Sequence, residues 1–300
     1  MQSFINYIAI ERRYSPRTVE AYEANLKAFA DYLRTHYGDP SLSPRQATES
    51  DVKDWMMQLI EKKKMSPRSI RQHLTTLHSY FRFLLRTGAV SKDVTRRVVA
   101  PKVDKPLPVF FKPQEMQRVT AYDDQADDFE SLRDCLIIEM LYQTGMRQAE
   151  MLNLTDADID LPAANIRIFG KRRKERVVPI GDKLMDLIRR YRDVRPDNSP
   201  FGTFFVRQKK NGDVLPMTKP LLYSIVRTRM GEVSTLKKHS PHVLRHTFAT
   251  TMLDNGADIR TIKDLMGHAS IAATQVYTHT TFDQIRRSYE AAHPRAKTNG

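Results

Sequence analysis

A mainly α-helical chain of two domains is what this sequence predicts, and three observations carry the prediction. Its 300 residues exceed the size of a typical single domain. Its first hundred residues place apolar side chains at helical spacing behind capping signals, without strand-like alternation. Clear alternation occurs around Gly170, as one small antiparallel hairpin within an otherwise helical second half.

The elements follow in order. Ser15-Pro16 opens a helix with serine at the cap and proline at the first position, and Val19, Tyr22, Leu26, Phe29 and Leu33 form its inner stripe. A second helix covers Asp51 to Ile60, with Val52, Trp55, Met56 and Leu59 inward. Ser66-Pro67 opens a third, with Ile70, Leu74, Leu77, Phe81 and Leu84 on one face. Its opposite face carries Arg68, Arg71, Thr75, His78, Arg82 and Arg86, as a helix lying along a phosphate backbone or in a major groove would. Gly88 ends it. The stretch from Arg96 to Pro113 is rich in proline and lysine and reads as a linker.

Beyond the linker come an acidic segment from Asp123 to Glu130, read as a solvated face, and an apolar helix around Cys135. That single cysteine excludes an intrachain disulfide and is expected to be core packing. Gly145 is expected to end this helix just before another begins. Ile166, Ile168, Val178 and Ile180 then alternate around Gly170-Lys171-Arg172-Arg173-Lys174-Glu175, a hairpin with a strongly basic tip. From Asp182 the pattern is helical again, interrupted at Pro196, Pro200, Pro216 and Pro241.

Composition narrows the function. Lys and Arg number 49 against 35 Asp and Glu, a net charge of +14 that suits a polyanionic partner. Residues 1–107 hold 19 basic and 11 acidic side chains, residues 108–170 hold 5 and 12, and residues 171–300 hold 25 and 12. Two basic blocks thus flank an acidic patch. Apolar runs such as Cys135-Leu136-Ile137-Ile138 fall far short of the roughly 18 residues needed to span a membrane. The N-terminus lacks the pattern of a secretory leader, so a cytoplasmic, nucleoid-associated location and no membrane partner are expected.

The chemistry-bearing residues are Arg147, Lys171, His242, Arg245, His268 and Tyr277. Two guanidinium groups can brace the non-bridging oxygens of one phosphate. His242 and Arg245 at i and i+3 share one helical face, and His268 follows Gly267 at a turn. A phenol activated by such cations can attack a phosphodiester, and Tyr277, nine residues after His268, is the candidate among twelve tyrosines. Lys171 at the hairpin tip could protonate the leaving oxygen, with Lys174 as a rival. Asp156-Ala-Asp158-Ile-Asp160 opens like a calcium loop, but Leu161 and Arg167 stand where glycine and glutamate are needed. No P-loop, dinucleotide fingerprint or zinc-ligand spacing occurs, so neither metal nor cofactor is expected.

These six positions, in type, order and spacing, resemble the tyrosine recombinase (phage integrase) family, and most closely its Xer-type site-specific recombinases. The resemblance runs from Ser15-Pro16-Arg17-Thr18 through Gly267-His268 and Tyr277 to His293-Pro294-Arg295. It implies a two-domain C-clamp around DNA: a SAM-like helical core-binding domain (1–100), a linker (101–112), and a mainly helical catalytic domain with a small sheet (113–300). The last helix, with Phe282, Ile285 and Tyr289, would dock on a neighbouring protomer. By the same resemblance Arg147, Lys171, His242, Arg245 and His268 activate the phosphate, and Tyr277 forms a 3′-phosphotyrosyl bond, freeing a 5′-hydroxyl without ATP. Four protomers, as a homo- or hetero-tetramer, would exchange strands between two double-stranded DNA recombination sites through a Holliday junction. Arg17, Thr18, Arg68, Arg71, Thr75, His78, Arg82, Arg172, Arg173 and Lys174 are the expected DNA contacts. The hairpin departs from the family's usual Gly-Lys-Gly, having Arg172 after Lys171. Alternatives are an integrase or invertase of a mobile element or phase-variable locus, a type IB topoisomerase-like enzyme, and a non-catalytic DNA binder.

Overall fold

The computed structural model describes residues 1–102, 109–121, 128–170, 175–196, 202–236, 238–267 and 279–296. The chain divides into two compact units, Met1–Pro106 and Leu107–Gly300, each with its own apolar core.

The first unit is helical, as its spacing predicts. Helix α1 (Gln2–Asn6) runs into a π-helical turn, Tyr7–Glu11, and is followed by α2 (Pro16–Tyr37), α3 (Glu49–Glu61) and α4 (Pro67–Arg86). The Ser15 and Ser66 side chains accept the backbone N–H of Thr18 and Ser69 at 3.3 and 3.2 Å, with proline at the first helical position in both. Thr48 and Asp51 exchange side-chain and backbone bonds at the start of α3. Phe4, Phe29, Trp55, Leu77 and Phe81 are essentially fully buried, each worth about 1.5–3 kcal/mol in apolar burial alone.

The opposite face of α4 is not uniformly solvated. Arg68, Arg71, Thr75 and Arg82 are exposed. His78 Nε2 lies 2.9 Å from the Thr95 carbonyl, and Arg71 donates to the Pro101 carbonyl at 3.3 Å, so both hold the chain that follows the helix. Arg86 donates to the Tyr7 hydroxyl and lies 4.2 Å over its ring. Part of this basic stripe therefore serves packing within the unit. Arg17 is exposed, while the Thr18 hydroxyl pairs with the Ser15 cap.

The second unit contains α5 (Pro113–Ala121), α6 (Phe129–Thr144), α7 (Gln148–Leu152), α8 (Asp182–Val194), α9 (Lys219–Val233), α10 (Pro241–Asp254), α11 (Ile259–Met266) and α12 (His279–Ala292). Helix α6 is buried nearly all round, Cys135 included, and packs against α8, α9 and α10. Strands β1 (Ile159–Asp160), β2 (Asn165–Phe169) and β3 (Glu175–Pro179) form an antiparallel sheet in which Ile166 pairs with Val178 and Ile168 with Arg176. The expected hairpin is β2–β3, and β1 adds a strand that the alternation did not reveal. A second hairpin, β4 (Val206–Gln208) with β5 (Val214–Pro216), replaces part of the expected helical run. Pro241 opens α10 at its first position rather than interrupting a helix.

Two further details differ from the sequence reading. Phe111, in the stretch read as linker, is 1% exposed and belongs to the second unit's core; its N–H donates to the Thr247 hydroxyl at 2.9 Å. Ile285 and Tyr289, expected to face a neighbouring protomer, are buried in the core of their own chain. Asp156 pairs with Arg192 and Arg195, Asp158 caps Thr155, and Asp160 accepts the Ala163 N–H, which gives each aspartate of the calcium-like run a structural partner. Residues 123–127 of the acidic segment lie outside the described residues, and Asp128 caps α6.

Candidate active site

Gly145 ends α6 in the left-handed conformation, φ +57°, and this turn places Arg147 at the start of α7. A Cβ at Gly145 would collide with the Phe248 ring of α10, so the glycine also lets α6 and α10 pack closely. Arg147 is extended, and its N–H donates to Glu150 Oε2 at 2.8 Å. Its Nη1 donates to Glu150 Oε1 at 2.8 Å, and its Nη2 to the Gly267 carbonyl at 3.1 Å. The Arg147 side chain remains 43% exposed, which leaves it open to a ligand.

Helix α10 supplies the second arginine. Apolar Val243, Leu244, Phe248 and Met252 seat it in the core, and Arg245 follows them inward at 5% exposure. Its Nη1 donates to the Gly145 carbonyl and its Nη2 to the Met266 carbonyl at 2.6 Å. Burial, then the charges of Arg147 and Arg176, pull the Arg245 guanidinium down to about 10, partly offset by Glu150, so it remains cationic at neutral pH.

His242, one turn before His246, is exposed. The two Nε2 atoms lie 3.1 Å apart and the rings meet edge to face at 4.5 Å. The donor in that pair depends on tautomer. His246 thus contacts a candidate site residue.

Two groups that the sequence reading missed hold this arrangement. Glu150 is 8% exposed; burial raises its carboxyl, and the hydrogen bonds and charge of Arg176 with the bonds from Arg147 outweigh that, holding it below the usual carboxylate range. Arg176 is 3% exposed, donating from Nη2 to Glu150 Oε2 at 2.7 Å and from Nε to the Leu265 carbonyl at 2.6 Å. Signals for both existed: Glu150 stands three residues after Arg147, and Arg176 is in phase with inward Val178.

The structure therefore brings Arg147 and Arg245, 98 residues apart, onto adjacent carbonyls at the end of α11, Met266 and Gly267. Lys171, Arg172, Arg173, Lys174, His268 and Tyr277 lie outside the described residues. Two guanidinium groups, one buried and one accessible, thus meet at one helix terminus of a mainly helical two-unit fold.

Comparison with known proteins agrees in fold and in sequence. The phage integrase family profile matches residues 110–284, and the phage integrase N-terminal SAM-like domain matches residues 1–88. Tyrosine recombinase XerC of Oceanobacillus iheyensis is 36% identical, covering 100% of this chain and 97% of that protein. Tyrosine recombinase XerD of the same organism is 31% identical over 99% of this chain and 98% of its own length. The solved integrase of the Tn1549 transposon, in complex with transposon right-end DNA, shares the fold with a TM-score of 0.69 at 21% identity, covering 96% of this chain and 98% of that one. The chain belongs to the phage integrase family, as a tyrosine site-specific recombinase of the Xer type.

Proposed function

We propose that the protein cuts and rejoins DNA at specific sites through Tyr277, with Arg147, Lys171, His242, Arg245 and His268 activating the phosphate. The convergence of Arg147 and Arg245 at the end of α11 is the observation that carries this reading. A phosphodiester under attack gains negative charge on its non-bridging oxygens, and two guanidinium groups fixed beforehand stabilise that charge without reorganising. The Tyr277 oxygen bonds to phosphorus as the phosphorus–5′ oxygen bond breaks. An imidazole of the site takes the phenol proton, and Lys171, or its rival Lys174, gives one to the departing 5′ oxygen, which leaves as a hydroxyl. The phosphotyrosyl bond conserves the energy of the broken linkage, so a 5′-hydroxyl from another duplex can reverse the step without ATP.

Site-specific exchange of this kind needs two duplexes and a tetramer of protomers. Ile285 and Tyr289 are buried in their own chain, so docking of the last helix on a neighbour would use its exposed face, with Gln284 and Arg287, or a released helix. Exposed Arg17, Arg68, Arg71, Thr75 and Arg82 are the proposed contacts of the first unit with DNA, joined by Thr18, His78 and, in the second unit, Arg172, Arg173 and Lys174. Among the described residues no helix is long and apolar enough to cross a membrane, which fits a cytoplasmic enzyme working on the nucleoid. The test is incubation of the protein with duplexes carrying its cognate site, in EDTA. Holliday junctions and recombinant duplexes are expected from wild type and neither from Tyr277→Phe. Relaxation of supercoils without any junction would instead indicate a topoisomerase.

A further inference from the structure

Arg176 lies on the core-facing side of β3, in phase with Val178 and paired across the sheet with Ile168, where an apolar side chain is the norm. A guanidinium buried to 3% exposure is costly unless its donors are matched. Arg176 matches them in two directions, Nε to the Leu265 carbonyl at 2.6 Å and Nη2 to Glu150 at 2.7 Å. It also passes under Gly267: a Cβ built there would stand 3.0 Å from Nη1, and Gly267 itself has φ +62°.

Three successive carbonyls at the end of α11 therefore each receive a different arginine. Leu265 takes Arg176, Met266 takes Arg245 and Gly267 takes Arg147. Cations are favoured at the negative end of a helix, so α11 is a common base for all three. Glu150 closes the circuit, since one carboxylate receives both Arg176 and Arg147.

We propose that Arg176 is a positioning residue for phosphate activation: by pinning the Leu265–Gly267 turn to Glu150, it holds the Arg147 guanidinium in the orientation that receives the scissile phosphate. Arg176 touches no substrate in this account. It shares the negative charge of Glu150, so that Arg147 is not captured wholly by that carboxylate. Without it, Glu150 would hold Arg147 more tightly while the α11 terminus loses an anchor. Arg176 stands five residues after Lys171, so the strand leading from the hairpin tip is tied to the same point. The inference rests on the recombinase reading above.

The test compares covalent-adduct formation by wild type, Arg176→Met and Arg176→Lys on a nicked cognate site, with either a phosphodiester or a neutral methylphosphonate at the scissile position. Folding is checked by thermal melting and DNA affinity by titration. Arg176→Met should slow adduct formation on the phosphodiester by on the order of 100-fold, with DNA affinity within about threefold of wild type and a loss on the methylphosphonate of about tenfold or less. The neutral substrate carries less charge to stabilise, so misorientation of Arg147 costs it less. Arg176→Lys keeps the charge but cannot reach both partners, and should show a smaller loss with the same sparing of the neutral substrate; it carries the comparison if Arg176→Met does not fold. Equal losses on both substrates, or a wild-type rate in either variant, would overturn the proposal. No adduct from wild type would count against the recombinase reading instead.

Discussion

Glu150 balances the charge of the site, with three hydrogen bonds from Arg147 and Arg176 on a carboxylate whose side chain is 6% exposed. Glu150→Gln leaves two arginines sharing a neutral partner, and removing one member of a buried ion pair costs about 3–5 kcal/mol. Chemical denaturation should show that loss, with adduct formation falling alongside it. His293 gives a pH signature of a different kind. Burial, followed by the charge of Arg295, lowers its imidazole to about 3 against the opposing bond to the Tyr142 carbonyl. Between the ordinary value of 6.5 and about 3, the unfolded chain carries a proton there that the folded chain does not, so stability falls as pH falls through that window. The slope from this group is about 1.4 kcal/mol per pH unit, and His293→Phe should flatten the stability–pH curve there relative to wild type. Spacing singles out Arg147, Arg245 and His242 as candidates. Glu150 and Arg176 were not, because single charged residues read as solvent-facing unless their phase against a helix cap or a strand's inner face is followed.

The helices of the first unit were legible because Ser15-Pro16 and Ser66-Pro67 announce their starts and their stripes repeat at helical spacing. Strand β1 has two residues and β4 and β5 three each, too few for alternation to register. Helix α6 lacks a polar face since it is enclosed on nearly all sides, so its position rather than its periodicity makes it central. The turn from α6 into α7 links that core to the chemistry. Gly145→Ala forces a side chain into a left-handed turn and against Phe248, while the Gly145 carbonyl holds Arg245. It should destabilise the protein by more than the roughly 1 kcal/mol of an ordinary left-handed glycine replacement and slow adduct formation, read by melting and by single-turnover cleavage.

At the scale of the whole chain, two units with separate cores carry a net charge of +14, concentrated outside residues 108–170. Phosphate neutralisation by these blocks predicts that log affinity for the cognate site falls linearly with log salt. Arg68→Ala and Arg82→Ala should each reduce the slope by about 1 if each contacts one phosphate. Fluorescence titration from low to moderate salt reads this directly. The family and the division into two units were legible in the sequence; the shared seat of Arg147 and Arg245 on α11 was not, since it depends on packing between residues 98 apart. The central claim is tested most directly by trapping the protein on a nicked cognate duplex in EDTA and mapping the DNA-linked peptide by mass. One peptide, carrying Tyr277 joined to a 3′-phosphate and absent from Tyr277→Phe, is the predicted result. An adduct that survives Tyr277→Phe, or one that forms only when a divalent metal is restored, would contradict it.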